Sequence, residues 1–177
     1  MLFIGSMIVY YRFFADNDSD FHITKQEFAA LQDDELIETA YEWTMKYDPV
    51  IHGKQAYYKA PEAVQNVIAV LMFDGEVLNG GFVQFYYNRR DELWINYAQA
   101  FTAIRLPEVA GILSASDEVF NSIKGTMPPQ NGDTIAFSNW YKDNPLCEFD
   151  DPYADLEEEI NAAVIRYIRE NIGSFGD

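Results

Sequence analysis

The chain has 177 residues, of which 49% are hydrophobic and 16% aromatic, enough to build the core of one ordinary domain. This composition excludes intrinsic disorder. The 12 Lys and Arg against 29 Asp and Glu give a formal net charge of −17, which opposes direct binding to nucleic acid or to an anionic membrane surface.

The first 20 residues form an apolar stretch followed by a polar loop. Met1 to Phe14 are mostly apolar, but the run is too short to span a membrane and lacks the basic start and the cleavage site of a signal peptide. We therefore expect residues 1–20 to be an arm or short strand beside one acidic helical domain, residues 21–177. Asp16 to Asp20 resemble half of a calcium loop, but Phe21 stands where glycine is needed, which favours a solvated loop.

Helix signals begin after this arm. Thr24 to Glu27 has the Thr-x-x-Glu form of a capping box, which predicts a helix start. Apolar residues then follow helical spacing to about Tyr47, with a break near Asp33. The helix should end at Asp48-Pro49, because the residue before a proline avoids helical backbone geometry.

The next helix is expected to start at Pro61, which suits a first helical turn. Its buried face is predicted by apolar residues at i, i+3, i+4, i+7 and i+8. These residues are Val64, Val67, Ile68, Leu71 and Met72. We expect Asp74-Gly75 to interrupt the helix and a short helix, Phe82 to Asn88, to follow a Gly-Gly turn.

The second half of the chain predicts further helices. Apolar spacing indicates one from about Leu93 to Pro107 and another from Val109 to Gly125. Thr126 to Asn144 is rich in turn residues and is predicted to be a loop. The last helix should begin with Asp151 as its N-cap and Pro152 as its first residue, and should end at Asn171 and Gly173. The predicted fold is mainly α, a single-domain helical bundle with at most a short N-terminal strand.

Few residues are suited to catalysis or to metal binding. Cys147 is the only cysteine, which leaves no disulfide framework and indicates a cytoplasmic setting. His22 and His52 are the only histidines, too few for a typical zinc site or a Ser-His-Asp triad. Phosphate-binding glycine loops and nucleophile elbows are absent from the sequence. We therefore predict a binding protein rather than an enzyme, with no cofactor and no metal.

Carboxylates cluster on two of the predicted helices. Acids three or four residues apart on a helix are neighbours, and each like-charge pair costs a few tenths of a kcal/mol. Such repulsion, with few nearby lysines, indicates a surface selected for its negative field, although a solvated helix face remains the alternative for each acid. The candidate partner-binding residues are Glu35, Glu38, Glu42, Asp155, Glu158 and Glu159.

Residues 76–88 carry a recognisable motif, Glu-Val-Leu-Asn-Gly-Gly-Phe-Val-Gln-Phe-Tyr-Tyr-Asn. The motif resembles the hallmark of a bacterial family named for a DNA-mimic protein, and the resemblance extends from about Ala60 to Asn171. It implies an acidic, helical, dimeric protein whose carboxylates imitate duplex phosphates and occupy the DNA-binding face of a helix-turn-helix regulator. The expected partner is therefore a basic DNA-binding protein, and a homodimer is a further expectation.

The residues of the motif are interpreted first as architecture. Asn79, Gly80 and Gly81 suit a tight turn in which positive φ is tolerated, and Phe82 belongs to a core stripe. Gln84 and Asn88 either satisfy buried backbone groups or line a small pocket.

Two other functions remain open at this point. An immunity-type inhibitor of a basic toxin or nuclease needs the same negative surface, and its gene should adjoin a toxin gene. A small-ligand-binding protein needs a concave polar site near the Asn-Gly-Gly-Phe motif. The charge of the chain favours the two binding functions, and the resemblance favours DNA mimicry among them.

Overall fold

The computed structural model describes residues 21–177. The predictions for residues 1–20 (the arm or strand, and the solvated loop) lie outside this range. The described residues form helices joined by short turns, with no strand among them. The predicted class, a mainly α single domain, is confirmed.

Ten α-helices follow one another in the described part of the chain. They are α1 (Lys25–Ala30), α2 (Asp33–Thr44), α3 (Pro49–His52), α4 (Lys54–Lys59), α5 (Glu62–Asn88), α6 (Tyr97–Ala103), α7 (Pro107–Ile123), α8 (Thr134–Tyr141), α9 (Asp150–Ala154) and α10 (Glu157–Glu170). Short 3-10 segments stand at Met45–Tyr47, Lys124–Thr126, Pro145–Phe149 and Ile172–Ser174.

The first helices start and stop where the local signals predict. Thr24 and Glu27 form the capping box of α1, with each side chain bonded to the backbone N–H of the other residue. A break at residues 31–32 separates α1 from α2. Asp48 ends the helical run and also caps α3, because its carboxylate accepts hydrogen bonds from the N–H groups of Val50 and Ile51. Helices α3 and α4 were not predicted.

Helix α5 is the core of the fold. It begins directly after Pro61, and all five residues of its predicted face are buried. The predicted interruption at Asp74-Gly75 is wrong, because Asp74 is 1% exposed and lies inside the helix. The predicted Gly-Gly turn is confirmed as a bend at Gly80 and Gly81, after which the helix continues from Phe82 to Asn88. Helix α5 is long and apolar enough to cross a membrane, but 72% of its most apolar window is buried, as in the core helix of a globular domain.

Two predictions in the second half also need correction. Thr126 to Asn144 is not all loop, because Asp133 caps α8 through the N–H groups of Ile135 and Ala136. The turn residues occupy only the part of this segment before Asp133. The last helix is divided into α9 and α10, and the N-cap position of α9 is held by Phe149 rather than by Asp151.

Long-range contacts close the bundle. Helix α10 runs antiparallel to α5, with Tyr167 beside Asn66. The C-terminal residues pack on the first helices, where the Phe175 ring stacks on Phe28 with centroids 5.4 Å apart and contacts Trp43.

Candidate functional site

The bend in α5 is built from two glycines and a distant aspartate. Gly81 has φ 71° and ψ −178°, a conformation that residues with a Cβ rarely adopt. A Cβ on Gly81 would also lie 2.5 Å from Oδ2 of Asp150. Oδ1 of Asp150 accepts a hydrogen bond of 2.8 Å from the backbone N–H of Phe82. Asp150 therefore caps the second half of α5, and the absence of a side chain at Gly81 lets it approach.

A buried carboxylate spans the same bend. Glu76 precedes the glycines, and its Oε2 accepts hydrogen bonds from the amides of Gln84 (3.1 Å) and Asn88 (2.8 Å). Its Oε1 lies 2.8 Å from Nη2 of Arg89, and both side chains are nearly buried. The amides of the motif thus bind a side chain of the motif itself, and the network ties the two halves of α5 together.

Asn79 and Gln84 of the motif are expected to contribute differently to the stability of the fold. The side chain of Asn79 is exposed and has no hydrogen bond to a described residue, whereas that of Gln84 is half-buried and bonded to Glu76. We expect Gln84→Ala to lower the free energy of unfolding by about 1–2 kcal/mol, since it leaves Glu76 without one donor. Asn79→Ala, the matched control, should change it by less than about 0.5 kcal/mol. Urea unfolding of both variants checks this, and equal effects would contradict the network.

A second buried carboxylate, Asp74, lies nearly two helical turns before Gly80. Oδ1 of Asp74 accepts a hydrogen bond of 2.7 Å from the Tyr153 hydroxyl, and its Oδ2 has no partner among the described residues. Burial raises the pKa of Asp74 to about 6. Full burial raises the pKa of Tyr153, and the nearby Asp74 carboxylate raises it further. This pair holds α9 against α5.

The predicted acids of α2 lie on its exposed side. Glu35 and Glu38 are exposed, and a long hydrogen bond of 3.4 Å joins the Gln32 N–H to Glu35 at the start of the helix. Glu42 is half-buried, and its partial burial and the charge of Glu38 raise its pKa. None of the three forms an ion pair with a described residue.

The other three predicted acids lie about α10. Asp155 stands between α9 and α10, while Glu158 and Glu159 are in the first turn of α10, and all three are exposed. First-turn acids gain from the helix N-terminus, about 0.3–1 kcal/mol each. None of them is paired with a cation of residues 21–177.

The two acidic groups are not brought together. The two ends of α2 contact the C-terminal part of the chain: Asp33 pairs with Arg169 of α10 at 2.7 Å, and Trp43 contacts Phe175, which follows α10. Glu158 is 11 residues before Arg169, which is about 16 Å along a helix axis. The acids of α2 and those at the start of α10 therefore occupy opposite ends of α10.

Four other carboxylates of the described chain are paired with Lys or Arg. Arg105 pairs with Glu170 at 2.9 Å, and Lys46 pairs with Asp177 at 2.6 Å. The first two pairs join residues far apart in the sequence, whereas the Arg89–Glu76 pair joins the two sides of the bend at the end of α5. The six predicted partner-binding acids have no Lys or Arg partner among the described residues, a property that they share with other exposed acids such as Glu62 and Glu108.

Sequence reasoning missed Asp150 and Glu76 as organising residues. Both lie in the part of the chain that carries the resemblance, since Glu76 opens the motif and Asp150 falls between Ala60 and Asn171. Their contact across the fold was not visible, because Asp150 and Phe82 are 68 residues apart.

Comparison with known proteins gives one match. The family model described as DMP19-like protein matches residues 59–171. No curated protein and no solved structure matches the chain. The matched range contains the whole bend of α5, Asp150 and the acids about α10, but not those of α2.

Proposed function

The chain belongs to the DMP19-like protein family, and from this premise we propose that it is a DNA mimic that occupies the basic DNA-binding face of a regulator protein. In this proposal it acts by binding and not by catalysis. The proposed setting is the cytoplasm, where the free thiol of Cys147 stays reduced.

The observation that carries the proposal is a set of six acids on α2 and about α10, five of them exposed and Glu42 half-buried, without a Lys or Arg partner among the described residues. Residues 21–177 contain 26 Asp and Glu against 11 Lys and Arg, so these acids lie in a field that is negative overall. A DNA duplex carries one negative charge per about 1.7 Å of axis, and its binding proteins place Lys and Arg to match. A rigid helical surface with unpaired carboxylates competes for the same cations.

The separation of the two groups supports two separate contacts with one partner. Glu158 and Arg169, which binds the start of α2, are about 16 Å apart along α10, of the same order as the ~12 Å width of the major groove. The group about α10 lies within the family match and the group of α2 lies before it. If the mimicry is a family property, the acids about α10 contribute more to partner binding than those of α2.

The experiment compares two neutralised variants of the full chain. In the first, Glu35, Glu38, Glu42, Asp155, Glu158 and Glu159 become Gln or Asn. In the matched control, six exposed acids elsewhere are neutralised in the same way: Glu62, Asp91, Glu108, Glu118, Asp143 and Glu148. Both variants lose six negative charges, so a difference between them reports the place of the charge rather than its total.

Each variant and the parent chain are immobilised on a resin and exposed to a lysate of the source organism at low salt. The proteins that they capture are then tested for binding to duplex DNA. We expect the parent and the control to capture a DNA-binding protein that is released by excess duplex DNA and by salt. The first variant should bind that protein on the order of tenfold more weakly. Two further variants, each with the three acids of one group neutralised, then show which group contributes more to partner binding.

Two results would contradict the proposal. One is equal binding by the first variant and the control. The other is capture of a protein that duplex DNA does not displace. If that protein is a nuclease toxin, the chain is an immunity-type inhibitor instead.

A further inference from the structure

A concavity of about 660 Å³ lies between α7 and the turn that joins α5 to α6. Its volume falls in the range of about 300–1,000 Å³ that is typical of small-molecule sites. The apolar part of its lining comes from Leu113, Phe120 and Met127, and Trp94 adds an aromatic ring. This cavity lies away from the bend of α5 and does not depend on the proposed function.

The walls of the cavity are fixed by hydrogen bonds within the fold. Arg90 donates to the carbonyl oxygens of Tyr87 and Pro128, both at 3.2 Å, which holds the segment after α7 against the end of α5. Asp117 accepts a hydrogen bond of 2.6 Å from the buried hydroxyl of Tyr86, whose ring stacks on Phe120 at 4.2 Å. The cavity is therefore preformed, and ligand binding to it requires little ordering of side chains.

Its lining carries more positive than negative charge, unlike the chain as a whole. Arg90 and Lys124 line the cavity together with one carboxylate, Asp117. The Nζ of Lys54, which is not a lining residue, lies over the Trp94 ring, 4.4 Å from its centroid. No carboxylate of residues 21–177 forms an ion pair with any of these three cations. Among residues 21–177, four other cations pair with carboxylates, and Lys25, Lys59, Lys142 and Arg166 do not.

Aromatic and polar groups accompany these cations. The amide of Asn121 accepts from Lys124 at 3.0 Å, and the Asn96 amide lies on the same wall. The side chain of Trp94 is half-buried and packs edge-on against Tyr57 at 5.3 Å, which fixes the orientation of its ring. A fixed aromatic face beside unpaired cations is suited to a ligand that combines a ring with a negative charge.

We propose that this cavity binds a small aromatic anion, with the ring against Trp94 and Phe120 and the anionic group at Lys124 and Arg90. Lys54 strengthens binding at the edge of the cavity. A ligand of this kind includes aromatic carboxylates and phosphorylated aromatic compounds, which share the chemistry that the cavity offers.

The test uses phenyl phosphate as the probe and the indole N–H signals of the ¹⁵N-labelled full chain. The chain has three tryptophans, and Trp94→Phe assigns the signal of Trp94. We expect phenyl phosphate to shift the Trp94 signal and to leave that of Trp43, which is bonded to Asp177, in place. Inorganic phosphate and benzyl alcohol, which each present half of the probe, should bind at least about threefold more weakly.

Lysine variants locate the anionic group. Lys124→Gln and Lys54→Gln should each weaken phenyl phosphate binding about three- to fivefold. Lys142→Gln removes the same charge from an exposed lysine that does not line the cavity and should leave binding unchanged. The proposal is overturned if the Trp94 signal does not move, if Lys142→Gln weakens binding as much as Lys124→Gln, or if inorganic phosphate shifts Trp94 as strongly as phenyl phosphate does.

Discussion

We expect Gly81→Ala to lower the free energy of unfolding by about 2–5 kcal/mol, because two costs combine at this residue. The backbone of Gly81, at φ 71° and ψ −178°, is in a region that is strained for any residue with a Cβ. The new Cβ would also displace the carboxylate of Asp150, which lies 2.5 Å from its position. Phe82 would then lose the oxygen that caps the second half of α5. Urea unfolding followed by circular dichroism measures the loss.

Gly75→Ala is the matched control in the same helix. No heavy atom lies within 4 Å of a Cβ added at Gly75, which is not a residue of the bend. The substitution should therefore raise the free energy of unfolding by about 0.5–1 kcal/mol, since alanine favours helix. If Gly81→Ala were as well tolerated as Gly75→Ala, the bend and its cap would not contribute to stability as the structure indicates.

Local signals were sufficient for the first helices and for the core face. The capping box of Thr24 and Glu27 and the stop at Asp48-Pro49 depend on residues close in sequence, so they are visible without the fold. The apolar period of α5 likewise predicted which residues are buried. It did not show that α5 is buried on nearly all sides, because the helices that cover its other faces are determined by tertiary packing.

The errors arise where a distant residue changes the local outcome. Asp74-Gly75 resembles a helix break, but Asp74 is accepted inside α5 because Tyr153, 79 residues later, donates a hydrogen bond to it. In the same way Asp151 resembles an N-cap, yet the neighbouring Asp150 is already bound to Phe82 and α9 starts without a side-chain cap. Local propensity is a weak guide where tertiary contacts compete with it.

The candidate acids show a similar limit. Helical spacing predicted that Glu35, Glu38 and Glu42 are neighbours, and also Asp155, Glu158 and Glu159, because the relation within each group is local. The distance between the groups depends on how α2 crosses α10. The Asp33–Arg169 pair and the contact of Trp43 with Phe175 determine that crossing, and neither was visible in the sequence.

Asp74 gives the fold a pH dependence whose direction follows from its burial. Its pKa is raised from the ordinary 3.8 to about 6 by burial, and the Tyr153 hydroxyl limits the rise while the charge of Glu157 adds to it. The folded state thus binds a proton more tightly than the unfolded state does. Stability from this group is fully present below about pH 4 and is lost as pH rises through about 6, by about 3 kcal/mol in total.

Asp74→Asn should remove this loss. Asparagine keeps an oxygen that accepts from Tyr153 but carries no charge. The free energy of unfolding of the variant should therefore rise by about 3 kcal/mol relative to that of the parent between pH 4 and pH 8. This expected change does not depend on the difference between the two proteins at pH 4. Urea unfolding of both proteins at several pH values measures this difference. Tyr153→Phe, which removes the hydroxyl that lowers the pKa of Asp74, should move the midpoint of the loss to higher pH. A difference between Asp74→Asn and the parent that stays constant from pH 4 to pH 8 would show that Asp74 does not titrate within the fold in this range.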